Sequence, residues 1–343
     1  MTKIPIYFTF DNNYVNPAVV AFWSLLDRTR EGVFYEMWVL HHDISEESRA
    51  LLQEVVSKKG NGSLTFINVG DFLNEEWTDG NMEGHQTRDQ FTRDTLVRCF
   101  GARFVPQYDR IIYSDVDVVF RDDISGLWQL DISEAYLAGV KNAFSLFSAA
   151  ELSHLSPTQF EMLHDKYVAG GIWVLNLEKI RRDGVERRML DIISDDSIVK
   201  RWLDQDVMNI ACEGKVKFMP LNYIAYPYLL PLMRNPKFVS TYSRDELFDS
   251  VLHPKIIHYA GHKPWRSADV GYDDEWWAIA DYLRLNLPRP RKIQTSAYDR
   301  ARGKMFYYRS QVRWLVLALA VAILIIIAAI TRIAVIQSAL TCG

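Results

Sequence analysis

Cysteine is nearly missing from this chain: three residues in 343, at positions 99, 212 and 342, odd in number and without a C-x-x-C spacing. That excludes a disulfide framework, gives no zinc signal and suits a reducing compartment. The opening "MTKIPIYFTFDNN" meets Asp11 too early to hold the apolar stretch of a secretory leader, so none is expected. Neither an internal repeat nor a low-complexity tract is present. The net charge is only -4 and no nucleic-acid partner is expected. With 49% apolar and 13% aromatic residues there is ample material for a full core, so extended disorder is excluded.

Long uncharged runs are also scarce, with one exception. "WLVLALAVAILIIIAAI", Trp314 to Ile330, is seventeen residues without charge or helical periodicity. At a rise of ~1.5 Å per residue it covers roughly 25 Å, and "IAVI" extends it if Arg332 snorkels. Before it, Leu283 to Arg313 holds nine Lys or Arg against one Asp. These features predict a C-terminal transmembrane helix over 314–336, a basic neck over 284–313 lying on anionic headgroups, and a folded domain over 1–283 placed in the cytoplasm by the positive-inside tendency.

Within 1–283, short apolar runs alternate with amphipathic segments. "IPIYFTF", "FYEMWVLHH", "SLTFINV" and "RIIYSDVDVVF" read as strands. "NPAVVAFWSLLDRT", with Pro17 in its first turn, "DISEESRALLQEVVSKKG", capped by Asp43 or Ser45 and ended by Gly60, and "FTRDTLVRCFGARFV" read as helices between them. This β-α-β-α order predicts an α/β domain with a mainly parallel central sheet. Further on, "AYLAGV", "AGGIWVLNL" and "KIIHYAGHKPW" read as strands and "QDVMNIACEG" as a helix.

The fourth strand carries Asp115 and Asp117 inside an apolar run, where an unpaired carboxylate is costly. If the chain turns at Val116, both acids converge on one cation. Oxygen ligands without cysteine favour Mg2+ or Mn2+, and an imidazole in the set favours Mn2+. The same letters fit a haloacid-dehalogenase-like phosphohydrolase with Asp115 as nucleophile and Asp273 and Asp274 as downstream carboxylates. A solvated acidic turn continuing through Asp122 and Asp123 is the plainest alternative.

Further segments join the pair: "IYFTFDNNY" at the end of the first strand, "TLVRCF", "VAGGIW", "LDQDVMN" at a helix start and "HYAGHKPW". In this order, from about Ile4 to Trp265, the chain resembles glycosyltransferase family 8, the group of bacterial lipopolysaccharide hexosyltransferases and glycogenin. The resemblance implies a GT-A (Rossmann-like) fold and a metal-dependent, retaining transfer of galactose or glucose. The donor would be a UDP-sugar and the acceptor a glycan or glycolipid, at the bacterial inner membrane if the anchor holds.

Residue by residue, the resemblance implies Asp115, Asp117 and His258 as ligands of Mn2+ (or Mg2+). It implies a donor site of Thr9, Asp11, Asn13, Tyr14, Arg98, Val116, Gly170, Gly171, Gly261 and Lys263, with Asp204 and Gln205 beside the anomeric carbon. Within this set, Asp11 and Asn13 hold uracil and ribose, Tyr14 lies toward the acceptor, Arg98 meets the donor sugar, and Gly261 and Lys263 meet the diphosphate. Two positions depart from the pattern: Ala169 stands where relatives often carry Asn, and Asn142 where some carry Asp. A self-glycosylating or non-catalytic nucleotide-sugar binder is the third reading the family allows.

Overall fold

The computed structural model of the protein describes residues 1–76, 93–142, 166–195, 202–227 and 242–290, with 156–157, 159–160, 197–198 and 200. Strand β1 (Thr2–Thr9) is buried from Ile4 onward, as a parallel strand covered on both faces must be. Helix α1 (Val15–Arg28) follows with Pro17 in its first turn, where a missing N–H costs nothing. Strand β2 (Val33–His41) leads into helix α2 (Glu46–Lys59). There the Ser45 hydroxyl accepts the Ser48 N–H, and Gly60, at φ 72°, ends the helix in a left-handed turn.

Strand β3 (Gly62–Asn68) completes the first half. The second half adds β4 (Arg110–Ser114), β5 (Val118–Phe120), β6 (Leu137–Lys141), β7 (Val168–Asn176), β8 (Val216–Met219) and β9 (Ile256–His258). Seven of these form one sheet in the order β3-β2-β1-β4-β7-β6-β8, and β5 pairs with β9 in a second, two-stranded sheet. β1 to β4 are parallel to their neighbours among themselves, β6 and β8 are parallel to each other, and β7 alone runs antiparallel to β4 and β6. The expected α/β class with a mainly parallel sheet is therefore present.

Alternation along the strands builds a core on each face. Ile4, Ile6 and Phe8 pack with Phe22 and Leu25 of α1 on one side. Tyr7, Phe100, Tyr113, Trp173 and Leu175 fill the other. Val119, Ile257, Tyr259, Trp276 and Trp277 close the small sheet against the helix Asp273–Tyr282.

Three expectations need correction. "RIIYSDVDVVF" is not one strand: β4 ends at Ser114, and β5 joins a different sheet, so the acids occupy the crossover. "FTRDTLVRCFGARFV" divides, over its described part, into Arg93–Val97, a 3-10 turn Arg98–Phe100 and Gly101–Phe104. The Tyr7 hydroxyl donates to the Arg98 carbonyl at 2.5 Å, drawing that carbonyl toward a side chain at the break.

The third correction concerns the membrane. The expected span 314–336 and most of the basic neck lie outside the described residues. Among the described residues no helix is long and apolar enough to cross a membrane. The longest, α1 and α2, have 14 residues each. That is about 21 Å of helix, short of a ~30 Å hydrocarbon core. The expected single-pass anchor, and the cytoplasmic placement inferred from it, are therefore not supported. Two compact units divide the chain, Met1–Pro290 and Arg291–Gly343, and the described residues all lie in the first.

Candidate active site

β1 and β4 lie side by side with Tyr7 opposite Tyr113, so Thr9 and Asp115 each stand two residues past that pair, at the carboxyl edge of the parallel strands. Because β7 is antiparallel, it brings its opening residues, Gly170 and Gly171, to the same edge. The Asp115 N–H donates to the Gly171 carbonyl at 2.9 Å. The chain then turns through buried Val116 into β5, whose Val118 pairs with His258 of β9. The Tyr259 N–H donates to the Asp117 carbonyl at 2.9 Å. Backbone pairing thus seats a histidine from near the end of the domain beside two acids of the crossover, where α/β sheets commonly hold ligands.

The ligand atoms of Asp115, Asp117 and His258 lie within 4.8 Å of one another. His258 Nε2 is 3.4 Å from Asp115 Oδ2 and 3.2 Å from Asp117 Oδ1. Two carboxylate oxygens and one imidazole nitrogen, converging and largely buried, suit a divalent cation of the Mg2+ or Mn2+ kind. The Nδ1 side of the imidazole lies close to Gly171, at φ 102°. A Cβ there would fall 2.5 Å from His258 Nδ1, which is buried without a hydrogen-bond partner. Only glycine admits this approach with that backbone.

Cations surround the acids. Lys263 donates to Asp117 Oδ2, and Arg98 Nη1 donates to Asp115 Oδ1 at 2.7 Å. The Tyr113 hydroxyl also donates to Asp115 Oδ1. Burial opposes ionisation of Asp117, yet the charges of Lys263 and His258 outweigh it and hold the carboxyl well below its usual range. Asp115 is likewise lowered: burial raises it, and Arg98 with His258 overcomes that. Burial works against charge on His258, but its two acid neighbours raise the imidazole to about 9.

Behind the acids stands Asp204, first residue of the helix Asp204–Ala211 and 2% exposed. Its Oδ2 lies 3.4 Å from Arg98 Nη1, within ion-pair reach but without hydrogen-bond geometry. Burial, with Asp115 adding to it and Arg98 opposing it, pushes the carboxyl up to about 7. Gln205 points to β7: its Oε1 accepts the Gly170 N–H at 2.8 Å.

The remaining expected residues are spread around this centre. Asp11 caps the 3-10 turn Asn12–Tyr14 and accepts from Asn13 N–H and Nδ2 at 3.0 and 3.1 Å. Tyr14 packs edge-on against Trp265 at 6.1 Å, and its hydroxyl, raised by burial, feels the charges of Lys263 and Asp117. Gly261 sits in the turn after β9, two residues before Lys263. Of the two departures, Ala169 lies within β7, its carbonyl accepting from Trp173 Nε1 at 2.8 Å, and the Asn142 N–H donates to the Tyr167 carbonyl at 2.7 Å. Asp273 and Asp274 lie in the first turn of the helix 273–282, outside the acidic group.

Sequence reading passed over Tyr113, although its i, i+2 spacing to Asp115 on a strand was the available signal. It also passed over Tyr167, Asp206 and Asn209, whose bonds appear only when β7 and the helix meet.

A sheet edge that gathers two carboxylates, an imidazole and two partly buried cations is equipped for a divalent cation and a polyanionic substrate. Residues 5–269 match the family model described as glycosyl transferase family 8, and the chain belongs to that family of enzymes. It is 24% identical over 216 residues to a "putative glycosyltransferase" of Haemophilus influenzae, covering 62% of this chain and 61% of that one. It is 31% identical over 173 residues to the "lipopolysaccharide 1,2-glucosyltransferase" of Escherichia coli K12, covering 50% and 48%. These matches thus span less than two thirds of either relative's length. Among solved structures, a galactosyltransferase, LgtC, in complex with donor and acceptor sugar analogs aligns with a TM-score of 0.66 at 21% identity, covering 84% of this chain and 98% of that one. The fold is therefore the expected GT-A fold, and the phosphohydrolase reading is set aside.

Proposed function

We propose that the protein transfers galactose or glucose from a UDP-sugar to a hydroxyl of a glycan or glycolipid acceptor, with retention of anomeric configuration. The observation that carries this reading is the convergence of Asp115, Asp117 and His258 with Lys263 and Arg98 in a family 8 chain. A role in surface polysaccharide synthesis is supported by the lipopolysaccharide enzymes among its relatives.

In this reading Asp115, Asp117 and His258 hold Mn2+ (or Mg2+), which when bound supplies positive charge against the diphosphate. Lys263 leaves Asp117 to meet the same phosphates, adding a point charge where the leaving group becomes more negative. Asp11 and Asn13 take the uracil and ribose, and Thr9, Val116 and Gly261 line the nucleotide. Arg98, oriented by Asp115 and Asp204, meets the donor hexose with Gly170 and Gly171. Tyr14 faces the acceptor.

Gln205, fixed on the Gly170 N–H, stands beside the anomeric carbon, but its amide is a poor nucleophile. In this reading the acceptor hydroxyl attacks from the leaving-group side, and a covalent intermediate on Asp204 is the alternative route to retention. The hydroxyl oxygen bonds to the anomeric carbon as the carbon–phosphate-oxygen bond breaks, and its proton passes to the departing phosphate.

The test is UDP release from a panel of UDP-sugars by the full chain, with and without Mn2+, in the wild type and in Asp117→Asn. Mn2+-dependent release from one donor, reduced at least about 100-fold in the variant, is the expected result. Failure to bind or turn over any UDP-sugar with Mn2+ would overturn the reading.

A further inference from the structure

The helix carrying Asp204 and Gln205 starts on a turn that is costly to form. Leu203, buried and non-glycine, has φ 35° and ψ −94°, and its side chain offers no cap to the helix. Outliers of this kind persist only where the surroundings over-determine them.

Here Asp206 provides the restraint. One carboxylate oxygen, Oδ2, accepts the Trp202 N–H at 2.8 Å, closing the turn around Leu203. The other, Oδ1, accepts from the Tyr167 hydroxyl. Both side chains are fully buried. Tyr167 immediately precedes β7, and Asn209 ties the same junction one helical turn later. Its Oδ1 accepts the Val168 N–H at 2.7 Å, and its Nδ2 donates to the Val168 and Gln205 carbonyls at 3.0 and 2.8 Å.

We infer that Asp206 and Tyr167 are positioning residues for glycosyl transfer: together they latch the turn at Leu203, and so fix Asp204 against Arg98 and Gln205 against Gly170. This rests on the transfer reading above. Although Asp206 is two residues from Asp204, it does not bond to the reacting carbon. Both of its oxygens are engaged by protein donors in a fully enclosed position, and it acts through its neighbours. A glycine at 203 and an apolar residue at 206 would start the helix at lower cost. The expense is retained where it aims two polar side chains into the site.

The experiment compares full-length wild type with Tyr167→Phe and Asp206→Ala by three readouts: steady-state UDP release with the preferred UDP-sugar and Mn2+, UDP-binding stoichiometry by calorimetry, and amide hydrogen exchange. Tyr167→Phe is expected to lower kcat about 10- to 100-fold. KM should stay within about twofold, the number of UDP sites per chain unchanged, and exchange accelerated only across 202–207. Asp206→Ala should lose at least as much. An unchanged kcat in Tyr167→Phe, or a fall matched by an equal loss of UDP sites, overturns the latch. Should the wild type turn over no UDP-sugar, it is the transfer reading that fails. Exchange then decides the latch alone: acceleration confined to 202–207 supports it, and unchanged exchange or acceleration throughout the chain refutes it.

Discussion

Lys263 donates a hydrogen bond to Asp117 Oδ2, so an ammonium already engages a carboxylate that a divalent cation would need. Burial alone would lower the lysine pKa, but Asp117 outweighs that and holds it raised and charged. Asp117 Oδ1 faces His258 Nε2 while Oδ2 takes the lysine, so a bound metal would compete with Lys263 for the charge of Asp117 and loosen its hold on the ammonium.

Replacing Lys263 by Met should separate these effects. Mn2+ binding without nucleotide should tighten several-fold, because no internal cation competes for Asp117. UDP binding in the presence of Mn2+ should weaken about 10- to 100-fold, the worth of one charge-assisted hydrogen bond. Mn2+ titration followed by electron paramagnetic resonance, and UDP calorimetry, read the two terms. Unchanged or weaker Mn2+ binding in the variant would contradict the competition.

Asp204 should leave a mark on stability against pH. Its carboxyl titrates near 7 in the fold against 3.8 as an ordinary aspartate. Between those values the folded state holds a proton that the unfolded chain has lost. Its contribution to stability therefore falls as pH rises from about 4 to 7 and is level above. Asp204→Asn removes that slope. The stability of the variant relative to wild type should grow from pH 5 to 7 by at most about 1.4 kcal/mol per pH unit, then stay constant. Urea midpoints across pH 5 to 8 measure it, and a difference independent of pH would argue against the shift.

Gly171→Ala should be costly twice over. The backbone at φ 102° strains any L side chain, and the new Cβ would fall 2.5 Å from His258 Nδ1. A loss of about 2–4 kcal/mol is expected. Displacement of the imidazole should also weaken Mn2+ binding. Thermal melting and Mn2+ titration of the same variant test both parts. Alanine at 170, where the backbone is not left-handed and the new Cβ meets the Gln205 side chain at 3.3 Å, should cost less stability.

Much of this protein is determined by local pattern. Alternating buried runs and capped helices, such as Ser45 to Gly60, specify the α/β class, because hydrophobic period and cap chemistry act within a few residues. Asp115, Asp117, His258, Arg98, Lys263, Asp204 and Gln205 could be singled out in advance because their motifs keep a fixed order along the chain.

Tertiary structure decided what those motifs do to one another. "RIIYSDVDVVF" carries no local sign that its two halves join different sheets, since strand pairing depends on partners far away in sequence. That division puts the acids in a crossover, and the antiparallel course of β7 brings Gly171 to it. The pairing of Val118 with His258 supplies the imidazole, and the charges that surround Asp117 follow from that register. The bond from Tyr167 to Asp206 likewise exists only once β7 and the helix after Leu203 have packed, because burial and hydrogen bonding between distant segments are properties of the assembled fold.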